Sequence, residues 1–298
     1  MSVLLCDNIS KKVSSGTSIQ NFTFNFLDKR IYGIIGKSDS GKDTLLDLLT
    51  MKTKPSSGTI WVDGEDLKES KKLLDRVCYI NKKTYFPDSF SIKMICMKMA
   101  VNYPKWDNYY AYTLCRHFNI KMDSLFCKMP KAKRHLFLGI CGLASRANIT
   151  IYNDIVSDVD LKDRHDFYSF MYDHYLRYPR TIIMVTEYID EIDYMFDKVL
   201  FLDKGKLIDY FTIKDLKNNF RYLTGKTEVL KSLISGIKII GAEERGGILT
   251  VCIRKRLSKD DIRKFQKYLI EISDVPIQKV FIYLITLREI KNKKYDAI

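Results

Sequence analysis

Residues 31–44 read IYGIIGKSDSGKDT, and this stretch decides the fold. Its first five residues form a continuous apolar run, which is typical of a β-strand buried on both faces. Positions 36–42 then have the spacing G-x-x-x-x-G-K, and leucines follow at helical spacing from position 45. A strand, a glycine-rich turn and a helix in this order predict a phosphate-binding P-loop.

The residue types in this loop suit a phosphate for physical reasons. Gly36 and Gly41 let the backbone curl so that its N–H groups point inward, and the following helix directs its positive end at the same anion. The ammonium of Lys42 can reach the β- and γ-phosphates, whereas the plain alternative is an ordinary strand–turn–helix. The predicted nucleotide-binding residues are Gly36, Lys37, Ser38, Asp39, Ser40, Gly41, Lys42, Asp43 and Thr44.

Further apolar runs predict more strands of the same sheet, at 149–152, 181–186 and 199–202, with helices at 163–176 and 189–196. Alternating strands and helices indicate a parallel sheet with its chemistry at the carboxyl ends of the strands. Asn153, Asp154 and Glu187 each follow a predicted strand, so we expect them at the edge that holds the P-loop.

The strand signal disappears between about 86 and 133, where helices are predicted at 92–103 and 109–118. We interpret the methionines of this region as core residues rather than as a binding surface. From 213 onward the pattern changes again: Ile248–Ile253 alternates like a strand, and Ser258 can cap a helix that runs to about Ile272. This part is predicted to be a small α/β appendage.

Composition excludes several classes of protein. The 298 residues include 50 basic and 36 acidic side chains, a net charge of +14, but residues 151–200 are acidic on balance, unlike a continuous nucleic-acid groove. Seven cysteines form no C-x-x-C pair and four histidines have no zinc spacing. No uncharged apolar run is long enough to span a membrane. A zinc enzyme and an integral membrane protein are therefore not expected.

The order of these pieces over about 1–212 resembles the ATP-binding subunit of an ABC transporter. The resemblance also rests on PSSGTIWVDG at 55–64, which is similar to the family's hairpin after the P-loop helix, and on LDKGK at 202–206. The motif NYPKWD at 102–107 and the appendage resemble the bacitracin-resistance and peptide-export branch. The implied fold class is α/β: a P-loop NTPase (ABC ATPase) core at 1–212 with a helical subdomain at about 86–135, and a C-terminal α/β accessory domain at 213–298.

The resemblance implies a function with partners. Two ATP-binding subunits, as a homodimer or a heterodimer, sandwich two ATP molecules with Mg²⁺, and each P-loop faces the signature motif of the other subunit. The helical insert contacts a transmembrane transporter subunit, so the chain would be cytoplasmic and peripheral to the inner face of the membrane. No nucleic-acid partner is implied.

At most positions where the family does chemistry, this sequence departs from the pattern. Asp43 replaces the Mg²⁺-binding Ser or Thr, and Val13 replaces the aromatic residue that stacks on adenine. Lys82 replaces the Q-loop glutamine, and Glu187 replaces the switch histidine. Walker B ends in Asn153-Asp154 rather than Asp-Glu, and the signature-equivalent residues are Met129, Pro130, Lys131, Ala132 and Lys133.

Two pairs of these replacements compensate each other in charge. Asn153 loses a carboxylate where Asp43 gains one, and Lys82 adds the positive charge that Glu187 cancels. One hypothesis is therefore that a Mg²⁺–nucleotide complex still binds, with Asp43 and Asn153 as metal residues and Lys82 beside the γ-phosphate or Glu187. The alternative is decay of a site that no longer catalyses.

Hydrolysis is expected to be slow or undetectable. The carboxylate of Asp154 is about 1.5 Å further from the attacking water than a glutamate's, and misplacement on this scale can cost about 10²-fold in rate. Glu187 cannot donate a hydrogen bond to the γ-phosphate when ionised.

The sequence thus predicts a nucleotide-binding subunit of a bacterial ABC exporter with weak or lost hydrolysis, with Asp154, Glu187 and Lys82 as altered catalytic counterparts. The alternatives are a non-catalytic scaffold or regulatory subunit and, less favoured, a nucleic-acid-binding or ribosome-binding ABC relative.

Overall fold

The structure, a computed structural model, describes residues 2–13, 16–69 and 76–295. The chain forms two compact units. The first contains Met1–Tyr188 with Met195–Asp209, and the second contains Ile189–Tyr194 with Tyr210–Ile298. The short segment that follows Glu187 and Tyr188 therefore packs with the C-terminal part of the chain.

A six-stranded sheet forms the centre of the first unit, in the order β10-β9-β3-β8-β7-β6. Strand β3 pairs in parallel with both β8 and β9, and β7 pairs in parallel with both β8 and β6. Every residue of β3, β7 and β8 is buried, as their apolar runs predict. The strands are β3 (Ile31–Ile35), β6 (Val77–Asn81), β7 (Ile149–Asn153), β8 (Thr181–Val185), β9 (Lys198–Asp203) and β10 (Lys206–Thr212).

A second, antiparallel sheet completes the core of this unit. Its order is β2-β1-β4-β5, with β1 at Ser2–Val13, β2 at Gly16–Leu27, β4 at Ser57–Val62 and β5 at Glu65–Asp66. The apolar face of helix α1 (Lys42–Leu49) packs in the same hydrophobic cluster as residues of both sheets. The P-loop that joins β3 to α1 is thus fixed at both ends by buried elements.

Helices cover the remaining surface of the unit. They are α2 (Ile92–Asn102), α3 (Asn108–His117), α4 (Lys131–Ser145) and α5 (Leu161–Arg177). The side chains of Ser91 and Asp107 accept hydrogen bonds from the first turns of α2 and α3, which explains where these helices begin. The helix predicted at 189–196 is wrong: this stretch forms two short 3₁₀ helices, Ile189–Glu191 and Asp193–Met195. A segment this short cannot stabilise an α-helix by itself.

The expectation that the methionines of this region are core residues is wrong for helix α2. Helix α2 buries Ile92, Ile95 and Cys96, whereas Met94 and Met97 are 46% and 61% exposed. Val101, at the same spacing along the helix, is 82% exposed. Because positions three and four apart share a helix face, these residues form an apolar stripe on the outside of the unit rather than part of its core.

The second unit has its own antiparallel sheet and its own hydrophobic core. The predicted helix from Ser258 to about Ile272 is too long. Leu269 has a positive φ of 56°, and Glu271–Asp274 forms a strand that pairs with Phe220–Lys226. The sheet order is β12-β13-β11-β14, with β11 (Phe220–Lys226), β12 (Ile239–Arg245), β13 (Ile248–Arg254) and β14 (Glu271–Asp274). The helices are α6 (Ile213–Asn219), α7 (Thr227–Leu233), α8 (Lys259–Lys267) and α9 (Ile277–Tyr295). Over the described ranges, no helix has the length and hydropathy needed to cross a membrane.

Candidate functional site

The P-loop is curled too tightly for side chains at its two glycines. A Cβ at Gly36 would lie 2.2 Å from the Oγ of Ser40, and one at Gly41 would lie 2.5 Å from the backbone oxygen of Ser18. Gly41 also has a φ of 93°, in the left-handed region that favours glycine. The spacing of glycines in the motif is therefore explained by the shape of the loop.

Two neighbouring segments hold the loop from outside. The backbone N–H of Gly205 donates to the oxygen of Ser40 at 2.9 Å, and Gln20 donates to the oxygen of Gly205 at 2.9 Å. The Oγ of Ser18 donates to the Oγ1 of Thr44 at 2.6 Å. The turn of the LDKGK segment and strand β2 thus fix the loop in place before any ligand binds.

Lys42 directs its ammonium into this loop. Its Nζ donates to the backbone oxygens of Gly36 and Lys37, the latter at 2.6 Å, and lies 3.4 Å from the Oγ of Ser40. Burial lowers the pKa of Lys42, and the nearby carboxylates of Asp43 and Glu187 offset this only in part. A partly desolvated cation held inside a glycine-rich loop is well suited to bind a phosphate.

Asp43 and Asn153 lie in direct contact beside this lysine. The Nδ2 of Asn153 donates to the Oδ1 of Asp43 at 2.8 Å and also approaches the hydroxyl of Tyr79 at 3.3 Å. Asn81 donates to the same hydroxyl at 2.9 Å, and the ammonium of Lys52 lies 4.2 Å from the centre of the Tyr79 ring. These contacts fix the orientation of the amide and the carboxylate.

The carboxylate of Asp43 fits Mg²⁺, because it is a hard oxygen ligand and Mg²⁺ sites typically use one or two carboxylates together with substrate phosphates. The amide of Asn153, predicted as a second metal residue, turns its Nδ2 toward this carboxylate and so holds Asp43 in place. In the part of the chain that the structure describes, no group of three or more His, Cys, Asp or Glu side chains could hold a metal ion. A magnesium ion here would thus depend on the phosphate oxygens of a nucleotide.

Lys82 and Asp154 form an ion pair. The pair follows from strand register: Asn81 lies opposite Asn153 in the parallel pair β6–β7, so the next residue of each strand meets its neighbour. Burial lowers the pKa of Lys82, but the hydrogen bond and the charge of Asp154 outweigh this effect and raise it above its ordinary value. Lys82 thus pairs with Asp154, a contact that was not predicted, and the charge of Glu187 also acts on it.

The second carboxylate oxygen of Asp154 has a different environment from the oxygen that Lys82 binds. Its Oδ1 is buried and has no hydrogen-bond partner among the described residues, and Asp154 has a positive φ of 49°. Glu187 follows strand β8 closely enough for its charge to act on both Lys42 and Lys82. The carboxyl edge of the sheet thus brings together the predicted residues Lys42, Asp43, Lys82, Asn153, Asp154 and Glu187.

The signature-equivalent residues Met129–Lys133 lie elsewhere, at the start of α4. Pro130 is the N-cap of this helix and offers no N–H group. Lys131 pairs with Asp158 at 2.9 Å and Lys133 pairs with Asp163 at 2.7 Å. Among the contacts of the described residues, none joins this segment to the P-loop of the same chain.

Sequence analysis missed three residues of the site, namely Tyr79, Lys52 and Ser18. Tyr79 lies two residues before Asn81 on β6, so both side chains are on the same face of the strand. This spacing would have indicated that Tyr79 belongs to the site only if Val77–Asn81 had been recognised as a strand. No local signal marks Lys52 or Ser18, because both reach the site through tertiary packing.

Comparison with known proteins agrees with this geometry. A family model described as ABC transporter matches residues 19–133. The chain is 22% identical over 212 residues to the ABC transporter ATP-binding protein YtrB of Bacillus subtilis, which covers 71% of this chain and 73% of that protein.

Solved structures show the same fold. An ATP-binding subunit of an ABC transporter superimposes with a TM-score of 0.66 at 16% identity, covering 72% of this chain and 92% of its own. A dimeric ATP-binding cassette in a post-hydrolysis state with ADP and phosphate gives 0.63 at 14% identity, covering 70% and 98%. The predicted α/β fold is confirmed, since the chain has the fold of these ATP-binding cassettes.

Proposed function

Because this chain carries an ABC transporter ATP-binding domain, homologous to the ATP-binding subunits of these transporters, we propose that it binds Mg²⁺–ATP and hydrolyses it slowly or not at all. Its role would be that of a nucleotide-binding subunit of a bacterial ABC exporter. The observation that carries the proposal is the combination of an intact P-loop lysine with a Walker B-equivalent Asp154 held in an ion pair by Lys82.

Binding is supported by the P-loop as it stands. The loop has the curled backbone that directs N–H groups at a phosphate, and Lys42 lies inside it. Asp43, whose carboxylate is held by the Nδ2 of Asn153, would bind the Mg²⁺ ion, which supplies charge neutralisation at the phosphates when bound. The carboxylate of Asp43 is in contact with the neutral amide of Asn153.

Slow hydrolysis is supported by the state of Asp154. A carboxylate that polarises water must have a free oxygen directed at that water. One oxygen of Asp154 is bound to Lys82 and the other is buried.

The proposed partners follow from the family and from the exposed surface. The stripe of Met94, Met97 and Val101 on α2 offers an apolar face to a cytoplasmic segment of a transmembrane subunit, within the proposed helical subdomain at about 86–135. A second ATP-binding subunit would complete the nucleotide sites. We favour a partner with an intact signature motif, because Pro130 cannot donate a backbone hydrogen bond to a nucleotide. The chain would then act at the inner face of the membrane.

The metal assignment makes a direct prediction. Asp43→Ser removes the carboxylate beside Asn153, so an ion at this position loses its anionic protein ligand, and we expect Mg²⁺–ATP affinity to fall about tenfold. The measurement is a calorimetric titration with ATP, with and without Mg²⁺. Asp123→Ser is the matched control, since it removes an exposed carboxylate of the same unit outside the P-loop. Undiminished or improved affinity in Asp43→Ser would contradict the metal assignment.

The same titration separates the proposal from the main alternative. A non-catalytic scaffold that keeps only the fold would show no saturable ATP binding by the unaltered chain. Saturable binding that needs Mg²⁺ and Asp43 supports the nucleotide-binding subunit.

A further inference from the structure

Basic residues stand immediately before several strands of the parallel sheet. Arg30 precedes β3, Arg180 precedes β8 and Arg76 precedes β6, while Asn148 precedes β7. Because these strands are parallel and adjacent, all four residues lie at the amino edge of the sheet, opposite the edge that holds the P-loop. Arg30 pairs with Asp197 and Arg76 pairs with Asp63, each at 2.7 Å.

Arg180 is different, because its charge is buried without a carboxylate. It is only 4% exposed, and none of the described acidic groups lies within ion-pair distance. Its Nε donates to the Oγ1 of Thr150 at 3.1 Å and its Nη1 donates to the Nδ1 of His174 at 3.0 Å, but its Nη2 has no hydrogen-bond partner. Burial and this same guanidinium lower the pKa of His174 to about 3, so the imidazole is neutral: it accepts a hydrogen bond from Arg180 but does not balance its charge.

An unpaired guanidinium in the interior is costly, and such charges in proteins are normally paired. Arg180 borders a cleft of about 630 Å³, which is within the usual size range of small-molecule sites. Four more cations, contributed by separate elements, line the same cleft: Lys29, Lys105, Arg146 and Arg177. Among the described residues that line the cleft, Asp28 is the one with an acidic side chain.

The cations are held in different ways. Arg146 pairs with Asp107 and stacks on the ring of Tyr178 with 3.8 Å between the guanidinium carbon and the ring centre, so its position is fixed. Lys105 approaches the amide oxygen of Asn148 at 3.3 Å. No carboxylate in the described part of the chain pairs with Lys105 or Arg177, and both are exposed. Even after Asp28 and Asp107 are counted, the cleft keeps an excess of positive charge.

We propose that this cleft at the amino edge is a second anion site, which binds a group with two or more phosphates. Several cations spread around one cleft suit a ligand whose negative charge is also spread over several groups, and arginine and lysine are the usual phosphate ligands. A soluble polyphosphate and a phospholipid headgroup share this chemistry. Because the cleft lies at the opposite edge of the sheet from the P-loop, the proposed site is separate in space from the nucleotide site.

The test uses tripolyphosphate and the full chain carrying Lys42→Ala, so that the P-loop contributes little to binding. At about 0.15 M salt we expect saturable binding with one tripolyphosphate per chain. Arg177→Glu and Lys105→Glu should each weaken it about tenfold, since each removes a charge-assisted contact and adds a repulsion. Arg116→Glu is the matched control, because Arg116 is an exposed arginine of the same unit outside the cleft.

Unchanged melting temperatures of the three variants show that folding is intact. The absence of saturable binding, or equal weakening by Arg116→Glu, overturns the proposal. Sedimentation with vesicles of phosphatidylglycerol or of phosphatidylcholine identifies the source of the phosphate. Binding to phosphatidylglycerol vesicles that Arg177→Glu abolishes and tripolyphosphate displaces assigns a lipid headgroup; tripolyphosphate binding without vesicle binding assigns a soluble polyphosphate.

Discussion

Replacing Lys42 by alanine is expected to weaken ATP binding about 100-fold, because two or more charge-assisted hydrogen bonds to phosphate are lost from a partly desolvated site. The ammonium is already held inside the P-loop by the oxygens of Gly36 and Lys37. A bound phosphate would replace these oxygens as the acceptor of the hydrogen bonds of the ammonium. Equilibrium titration of purified protein with a fluorescent ATP analogue gives the affinity directly.

Lys93→Ala is the matched control for this substitution. Lys93 is an exposed lysine on helix α2 of the same unit, away from the loop. It should bind nucleotide like the unaltered chain. If Lys42→Ala bound ATP within about threefold of the unaltered chain, the P-loop would not be the nucleotide site, although the fold assignment would stand.

The second large effect concerns the ion pair of Lys82 and Asp154. A chain with both Lys82→Gln and Asp154→Glu is expected to hydrolyse ATP about 100-fold faster than the unaltered chain, because a free and longer carboxylate then reaches the attacking water. The measurement is the rate of phosphate release at saturating Mg²⁺–ATP. Saturation is essential, since removing the charge of Lys82 also lowers the attraction for the phosphates.

The single substitutions serve as the controls of a double-mutant cycle. Asp154→Glu alone leaves the carboxylate bound by Lys82, and Lys82→Gln alone leaves it too short, so each should give much less than the double change. No rise at all in the double variant would mean that the lost rate lies elsewhere, for example at Pro130. The ion pair would then be a consequence of inactivity rather than its cause.

Local sequence was sufficient to predict the P-loop, but it was insufficient to predict the side-chain pairs around the loop. The strand at Ile31–Ile35, its glycines and Lys42 are adjacent in sequence, so their spacing alone predicted both the element and its chemistry. The compensation of Asp43 and Asn153 could be predicted in charge, but their hydrogen bond depends on how α1 packs against β7.

The pairing of Lys82 with Asp154 required a strand that was not recognised. Val77–Asn81 is a five-residue run with lysine and arginine on both sides, and a run this short cannot be assigned to strand or helix from periodicity. Without β6 beside β7, the register that joins Lys82 to Asp154 was not available. The amino-edge cleft was missed for the same reason, because Arg180, Lys29 and Lys105 meet only through the order of the strands and loops.

The measurement that tests the central claim most directly is steady-state ATP turnover by the unaltered chain, with ATP binding determined on the same sample. The account predicts saturable, Mg²⁺-dependent binding together with turnover far below about 1 s⁻¹, the lower end of ordinary enzyme rates. Saturable binding with turnover at or above about 1 s⁻¹ would contradict it, since Asp154 paired with Lys82 would then be a competent catalytic group.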